Sequence, residues 1–156
     1  MPYTGLGSDM GADAKLYRNT GTHATPTWAE IENVVDLSQP DAFSEGNQST
    51  RASRIKMYRK AMREVSIEWG MLVEMHDADF LAILAAYLDP EAALEILVLN
   101  DDITVTGARG IRAFVQIFSN NLGQPLEEGQ TRQVVAKPTR YYENDVLILP
   151  SEHVVA

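Results

Sequence analysis

From Val65 to Met75 the chain alternates in character with hardly a break. Val65, Ile67, Trp69, Met71, Val73 and Met75 fall on one side, and Ser66, Glu68, Gly70, Leu72 and Glu74 on the other. A period of two belongs to a β-strand with one face turned to a core. Such a strand cannot stand alone, so the rest of the chain has to supply a sheet around it.

Further strands are expected at Ala14–Arg18, Trp28–Leu37, Leu94–Leu99, Ile111–Phe118 and Thr131–Lys137. Leu94–Leu99 is nearly all apolar, as a strand covered on both faces would be. The stretch Arg54–Lys60 alternates too, with Ile55 and Met57 opposed to Arg54, Lys56, Tyr58 and Lys60. It reads as a strand paired with its neighbour, one face in the core and one charged. A helix is expected over about 77–89. Asp77 can cap it, Phe80, Ile83, Leu84 and Tyr87 recur at helical spacing and should pack on the sheet, and Asp89-Pro90 ends it. Ser38–Thr50 carries Pro40, Gly46 and small polar residues and reads as a loop, poorly ordered in a free subunit. The order of strands, one helix and more strands predicts a mainly β protein, an antiparallel sandwich or barrel with one flanking α-helix.

Charge narrows the function. The chain carries 22 acidic and 13 basic residues, a net −9, which is the wrong sign for non-specific nucleic-acid binding. Six of the basic residues (Arg51, Arg54, Lys56, Arg59, Lys60 and Arg63) lie within thirteen positions. This split suits self-association between unlike surfaces; a charged strand face that blunts a sheet edge is the plainer alternative. With no cysteine, disulfides and cysteine-based metal or nucleophilic sites are excluded, and a reducing compartment is permitted. Met1–Ala14 has the features of no secretion signal, and no apolar run is long enough to span a membrane.

Catalytic constellations are missing. His76, Asp77 and Asp79 fall short of a zinc set and are explained by helix capping. Asn100-Asp101-Asp102 lacks the glycine and the terminal glutamate of a calcium loop. His23, His76 and His153 have no nucleophile elbow near them, and no phosphate-binding glycine motif occurs. No catalytic, metal or cofactor residue is assigned, and the chain is expected not to be an enzyme.

Three segments resemble the tail tube proteins of long, non-contractile bacteriophage tails. They are Asp13–Thr22 with Pro26-Thr27-Trp28, Ser66–Trp69 continuing into Asp77–Phe80, and Gly107–Ala113 with Pro125–Glu128 and Lys137-Pro138-Thr139. The match spans 12–141, taken as the tail tube β domain, behind a flexible arm at 1–11 and ahead of a C-terminal extension at 142–156. Where that family favours small neutral residues, this chain has the basic run Arg54–Lys60.

The resemblance implies a structural virion protein, assembled in the host bacterial cytoplasm. Hexameric rings of it would stack into a hollow tail tube through which DNA passes without specific binding. Its partners would be further copies of itself, the tape measure, the terminator and the tail tip, with no membrane and no cofactor. In that arrangement the loop with Ser38, Asp41, Phe43, Glu45, Asn47 and Arg51 would reach the adjacent ring. Arg54, Lys56, Lys60 and Arg63 would form a charged face toward a neighbour or the lumen. A tail terminator, a tail-tip protein and a monomeric β-sandwich binding module are the alternatives; a module would stay monomeric where a tube subunit makes filaments.

Overall fold

The computed structural model describes residues 11–124, 126 and 129–156. Positions 1–10 of the expected N-terminal arm lie outside the described residues, as do Pro125, Glu127 and Glu128 of the third resembling segment. After a 3-10 turn at Gly11–Asp13 come β1 (Lys15–Asn19), β2 (Trp28–Glu30), β3 (Val34–Ser38), β4 (Asp41–Asn47), β5 (Tyr58–Val65) and β6 (Ile67–Leu72). Then follow α1 (Ala78–Leu88), β7 (Leu94–Leu99), β8 (Arg109–Gly123), β9 (Thr131–Pro138), β10 (Tyr141–Glu143), β11 (Val146–Ile148) and β12 (Ser151–Val154).

The main sheet is antiparallel and runs β2-β1-β7-β8-β9-β6-β3. Trp28–Leu37, expected as one strand, is broken by a turn after Ile31, and its halves sit at opposite ends of this path. Four peptide steps from Glu30 to Val34 reach at most about 14 Å. The two ends of the sheet are therefore held close, and the sheet must curl on itself as a barrel does. The expected barrel-like antiparallel class with a flanking helix is the observed one.

Strand β8 shows how the curl is sealed. β7 pairs along one edge of β8, while β12 and then β9 share the other, at Arg109–Arg112 and Val115–Gly123. Within the C-terminal part of the chain, β10 and β11 form a hairpin, and β12 pairs with β8 in the main sheet.

The core lies inside the curl. Leu16, Ile31, Ile67, Trp69, Met71, Ile96, Val98, Val115, Val134 and Ala136 meet Phe80, Ile83 and Ala86 of α1 there. The helix has the expected cap and stop: Asp77 accepts from the Asp79 N–H, and the Asp89 N–H donates to the Ala85 carbonyl. Phe80 and Ile83 are buried and Leu84 is partly buried against the core, as the spacing predicts. Tyr87 is not: it remains 39% exposed in the last turn, and the small Ala86 completes the buried stripe instead. Met75 also departs from expectation. β6 stops at Leu72, the chain turns at Glu74–Asp77 to enter the helix, and Met75 is left exposed.

β7 is covered on both faces, as its apolar run predicts. Ile96 and Val98 point into the core, while Leu97 and Leu99 pack outward on Tyr17, Trp28, Ile103 and Val155. β8 crosses β7 so tightly that a Cβ on Gly110 would stand 1.5 Å from the Val98 carbonyl oxygen. Both are backbone-determined positions, so no rotamer change relieves the clash. Gly110→Ala is expected to destabilise the fold by about 3 kcal/mol or more. A denaturant melt indistinguishable from that of the unchanged protein would contradict this account of the β7–β8 crossing.

Candidate assembly surface

Between β3 and β6 the chain leaves the main sheet and returns, and the excursion is a two-stranded antiparallel hairpin of β4 and β5. Two expectations fail here. Most of Ser38–Thr50 is strand rather than loop, with Ser38 ending β3 and Asp41–Asn47 forming β4. β5 pairs with β4 rather than with β6, and it begins only at Tyr58, so Arg51, Arg54 and Lys56 lie in the connection at the tip. Ile55 and Met57 consequently face solvent instead of a core, at 76% and 42% exposure. The sequence cue was misleading because Arg54–Lys60 alternates at strand period while half of it spans a turn.

The hairpin's faces follow from its register. Cross-strand partners share a face, and Phe43↔Arg63, Glu45↔Lys60 and Asn47↔Tyr58 are partners. Lys60 and Arg63, three apart, would ordinarily face opposite ways. A bulge opposite Ser44 brings them to the same side, and the Ser44 hydroxyl fills the gap, accepting from Met62 N at 3.1 Å and donating to Met62 O at 3.3 Å. One face therefore collects Asp41, Phe43, Glu45, Asn47, Tyr58, Lys60 and Arg63, and the Lys60 ammonium sits 5.0 Å from the Phe43 ring centre.

Charge fastens the root of this arm. Arg63 grips Asp41 with two bonds, Nε–Oδ1 at 2.8 Å and Nη2–Oδ2 at 2.5 Å, and reaches Glu152 of β12 at 3.7 Å. The Arg63 hydrogen bonds hold the Asp41 carboxyl below its ordinary pKa. The Ser66 N–H donates to the Pro40 carbonyl at 3.0 Å and closes the base. Arg63, expected on a charged face toward a neighbour or the lumen, is ion-paired within its own subunit. Beyond that root no residue of β4 or β5 is buried. Phe43, Ile55, Met57, Tyr58 and Met62 all stand exposed. A two-stranded ribbon is barely stable in water by itself, so an arm like this is built to be covered.

A second feature escaped the sequence reading. Glu95 is the polar residue in the apolar run of β7, and it is 3% exposed. Its carboxylate accepts from Asn19 Nδ2 at 2.7 Å, Arg112 Nη2 at 2.8 Å and His23 Nδ1 at 2.5 Å. A carboxylate can only accept here, so the imidazole proton sits on Nδ1. Arg112 also donates to the His23 carbonyl at 2.6 Å and stacks 5.1 Å from the Trp28 ring centre. Burial alone would raise the Glu95 pKa; the bonds from Arg112, His23 and Asn19 outweigh it and leave the pKa lowered. The network ties the turn between β1 and β2 to the middle of the sheet. A glutamate inside an otherwise apolar strand was the available signal, but its partners lie 17 to 76 positions away.

No protein-family model matches the chain, and no curated protein matches it. Solved structures do. The SPP1 tail tube superposes with a TM-score of 0.71 at 14% identity, over 94% of this chain and 80% of that one. The tail of an empty gene transfer agent particle, refined with C6 symmetry, gives 0.66 at 11% identity over 85% and 95%. The sheath–tube complex of an extracellular contractile injection system gives 0.62 at 6% identity over 96% and 94%. The chain has the tail tube fold.

The Glu95 network carries a pH signature. A carboxyl whose pKa is lower folded than unfolded stabilises the fold fully above its ordinary value of 4.5 and loses that contribution as pH falls through the folded value. Glu95→Ala should cost about 3 kcal/mol at neutral pH, because it leaves the part-buried Arg112 charge without its carboxylate. The gap between it and the unchanged protein should narrow below pH 4.5. Denaturant melts across that range test this; a gap constant down to acid pH would overturn it.

Proposed function

We propose that this chain is a structural subunit of a phage-type tail tube, a virion protein that stacks as six-membered rings into a hollow conduit for DNA. The observation that carries the reading is the β4–β5 arm, an exposed hairpin set on a tail tube fold. A ring contact is heterologous, one surface meeting a different one, and a stacking contact that never closes on itself propagates a filament. An arm rooted by the Arg63–Asp41 pair and by Val65 against the core, and bare at its tip, supplies one half of such a contact.

Charge supports the same reading. The arm from Asp41 to Val65 holds six basic and three acidic residues, net +3, which leaves −12 for the rest of a chain of net −9. Unlike surfaces on identical subunits steer encounter and fix register. An acidic remainder also suits a lumen through which a polyanion must slide without sticking. The tape measure, terminator and tail-tip proteins are the further partners this role requires, with assembly in the host cytoplasm.

Purified protein is expected to form hollow tubes visible by negative-stain microscopy. Arg54→Glu with Lys56→Glu should slow assembly about tenfold or more while the subunit stays folded. Added salt should slow the unchanged protein by screening charges beyond a Debye length of about 8 Å. Light scattering and microscopy follow both. Tubes forming at the normal rate from the charge-reversed protein at low salt would place this face away from the subunit contact, and a strictly monomeric protein would refute the tube altogether.

A further inference from the structure

After its first turn the outer face of α1 carries no charge, and Tyr87 is the one side chain there with a polar group. After Asp79 the helix reads Phe80–Leu88 without a charge, and with Phe80, Ile83 and Ala86 turned inward, Leu81, Ala85 and Leu88 are exposed, Leu88 by 70%. A helix lying on a protein surface ordinarily sets polar side chains on that side. Beside its first turn runs a cleft lined by Glu30, Glu32, Glu74, His76, Asp77 and Asp79. Lys15 answers Glu30 and Arg18 answers Asp79. Glu32, Glu74 and Asp77 have no ion-pair partner among the described residues, and Asp77 Oδ2 is buried without a hydrogen bond.

The arm has the complementary make-up. Ile55, Met57 and Met62 stand exposed among Arg51, Arg54, Lys56 and Arg59, and none of these four cations is ion-paired among the described residues. We propose that the arm of one copy lies along α1 of a second copy, its apolar side chains on Leu81, Ala85 and Leu88 and its cations in the acidic cleft. The inference rests on the tail tube reading and names the surface that receives the arm. Both matches are needed to make it specific: the apolar contact supplies affinity without direction, and the charged flank sets which way the arm lies. The fit is to a second copy because the arm is exposed along its length in its own subunit. Donor and receptor are different parts of the molecule, so each copy that binds offers a fresh receptor to the next.

The chain contains no cysteine, which makes the test clean. Ala52→Cys at the arm tip and Ala85→Cys on the helix are small changes at exposed sites. Assembled from an equal mixture of the two variants and treated with a short bis-maleimide, tubes should give a covalent dimer on a denaturing gel. Tubes of either variant alone should give none. A mixture that builds tubes yet stays monomeric on the gel overturns the docking and leaves the tube reading intact, the arm then meeting another surface or another protein. If the unchanged protein builds no tubes, the tube reading fails and this inference with it. If only the cysteine variants fail to build, charge exchange decides. Glu32→Lys with Glu74→Lys should slow assembly as Arg54→Glu with Lys56→Glu does, and mixing the two reversed proteins should restore it. No restoration rejects the contact.

Discussion

Glu30 ends the strand at one edge of the main sheet and Val34 begins the strand at the other, with only three residues between them. That short link forbids a flat sheet. Once the edges are held together, strand side chains of the main sheet meet in a common interior, and α1 packs onto it through Phe80, Ile83 and Ala86. The curl also decides where the remaining chain can go. β8, at 15 residues, outruns β7, and its free edge is shared between β9 and the last strand β12. The C-terminal stretch is thereby structural, and through Glu152 it touches the root of the arm.

The same closure explains why the arm exists as a separate ribbon. β3 and β6 are paired to each other, so the 28 positions from Gln39 to Ser66 must leave the sheet and come back at one point. They do so as a hairpin whose own ladder is its only regular structure. Body and arm then differ in kind. The body is held by a core and by the buried Glu95 network, whereas the arm has no core and rests on the Arg63–Asp41 grip at its base.

Much of this was legible in the sequence wherever burial imposes a period. Ile67, Trp69 and Met71 alternate and are buried, Leu94–Leu99 is apolar on both faces and is covered on both, and Phe80 and Ile83 lie inward with capping by Asp77. The reading failed where burial is absent. The arm's strands are exposed on both sides, so nothing selects an apolar face, and Asp41–Asn47 looks like any polar loop. Arg54–Met57 shows the reverse error, an alternation with no sheet behind it. The Glu95 network could not be read at all, because its members are brought together only by the register of β1, β7 and β8. Of the residues expected at the assembly surface, Asp41, Phe43, Glu45, Asn47 and Lys60 do share one face, but only a bulge brings Arg63 to it.

The proposed tube role requires that a subunit polymerise through chosen contacts and be kept from polymerising through others. Open sheet edges are the hazard, since unpaired N–H and C=O groups accept any strand offered to them. Here the terminal strands of the main path are three and five residues long, and the register of β3 is broken between Val34 and Asp36. Asp36 adds negative charge to the β3 edge, and like charges set directly opposite each other repel. The curl removes most of what edge remains by bringing the two ends face to face. What is left uncovered and attractive is the arm, whose charge is opposite to that of the body. Under the proposed tube role, growth would be channelled through a pairing of unlike surfaces that fixes direction as well as partner, and the bare hairpin would gain stability when a neighbour covers it.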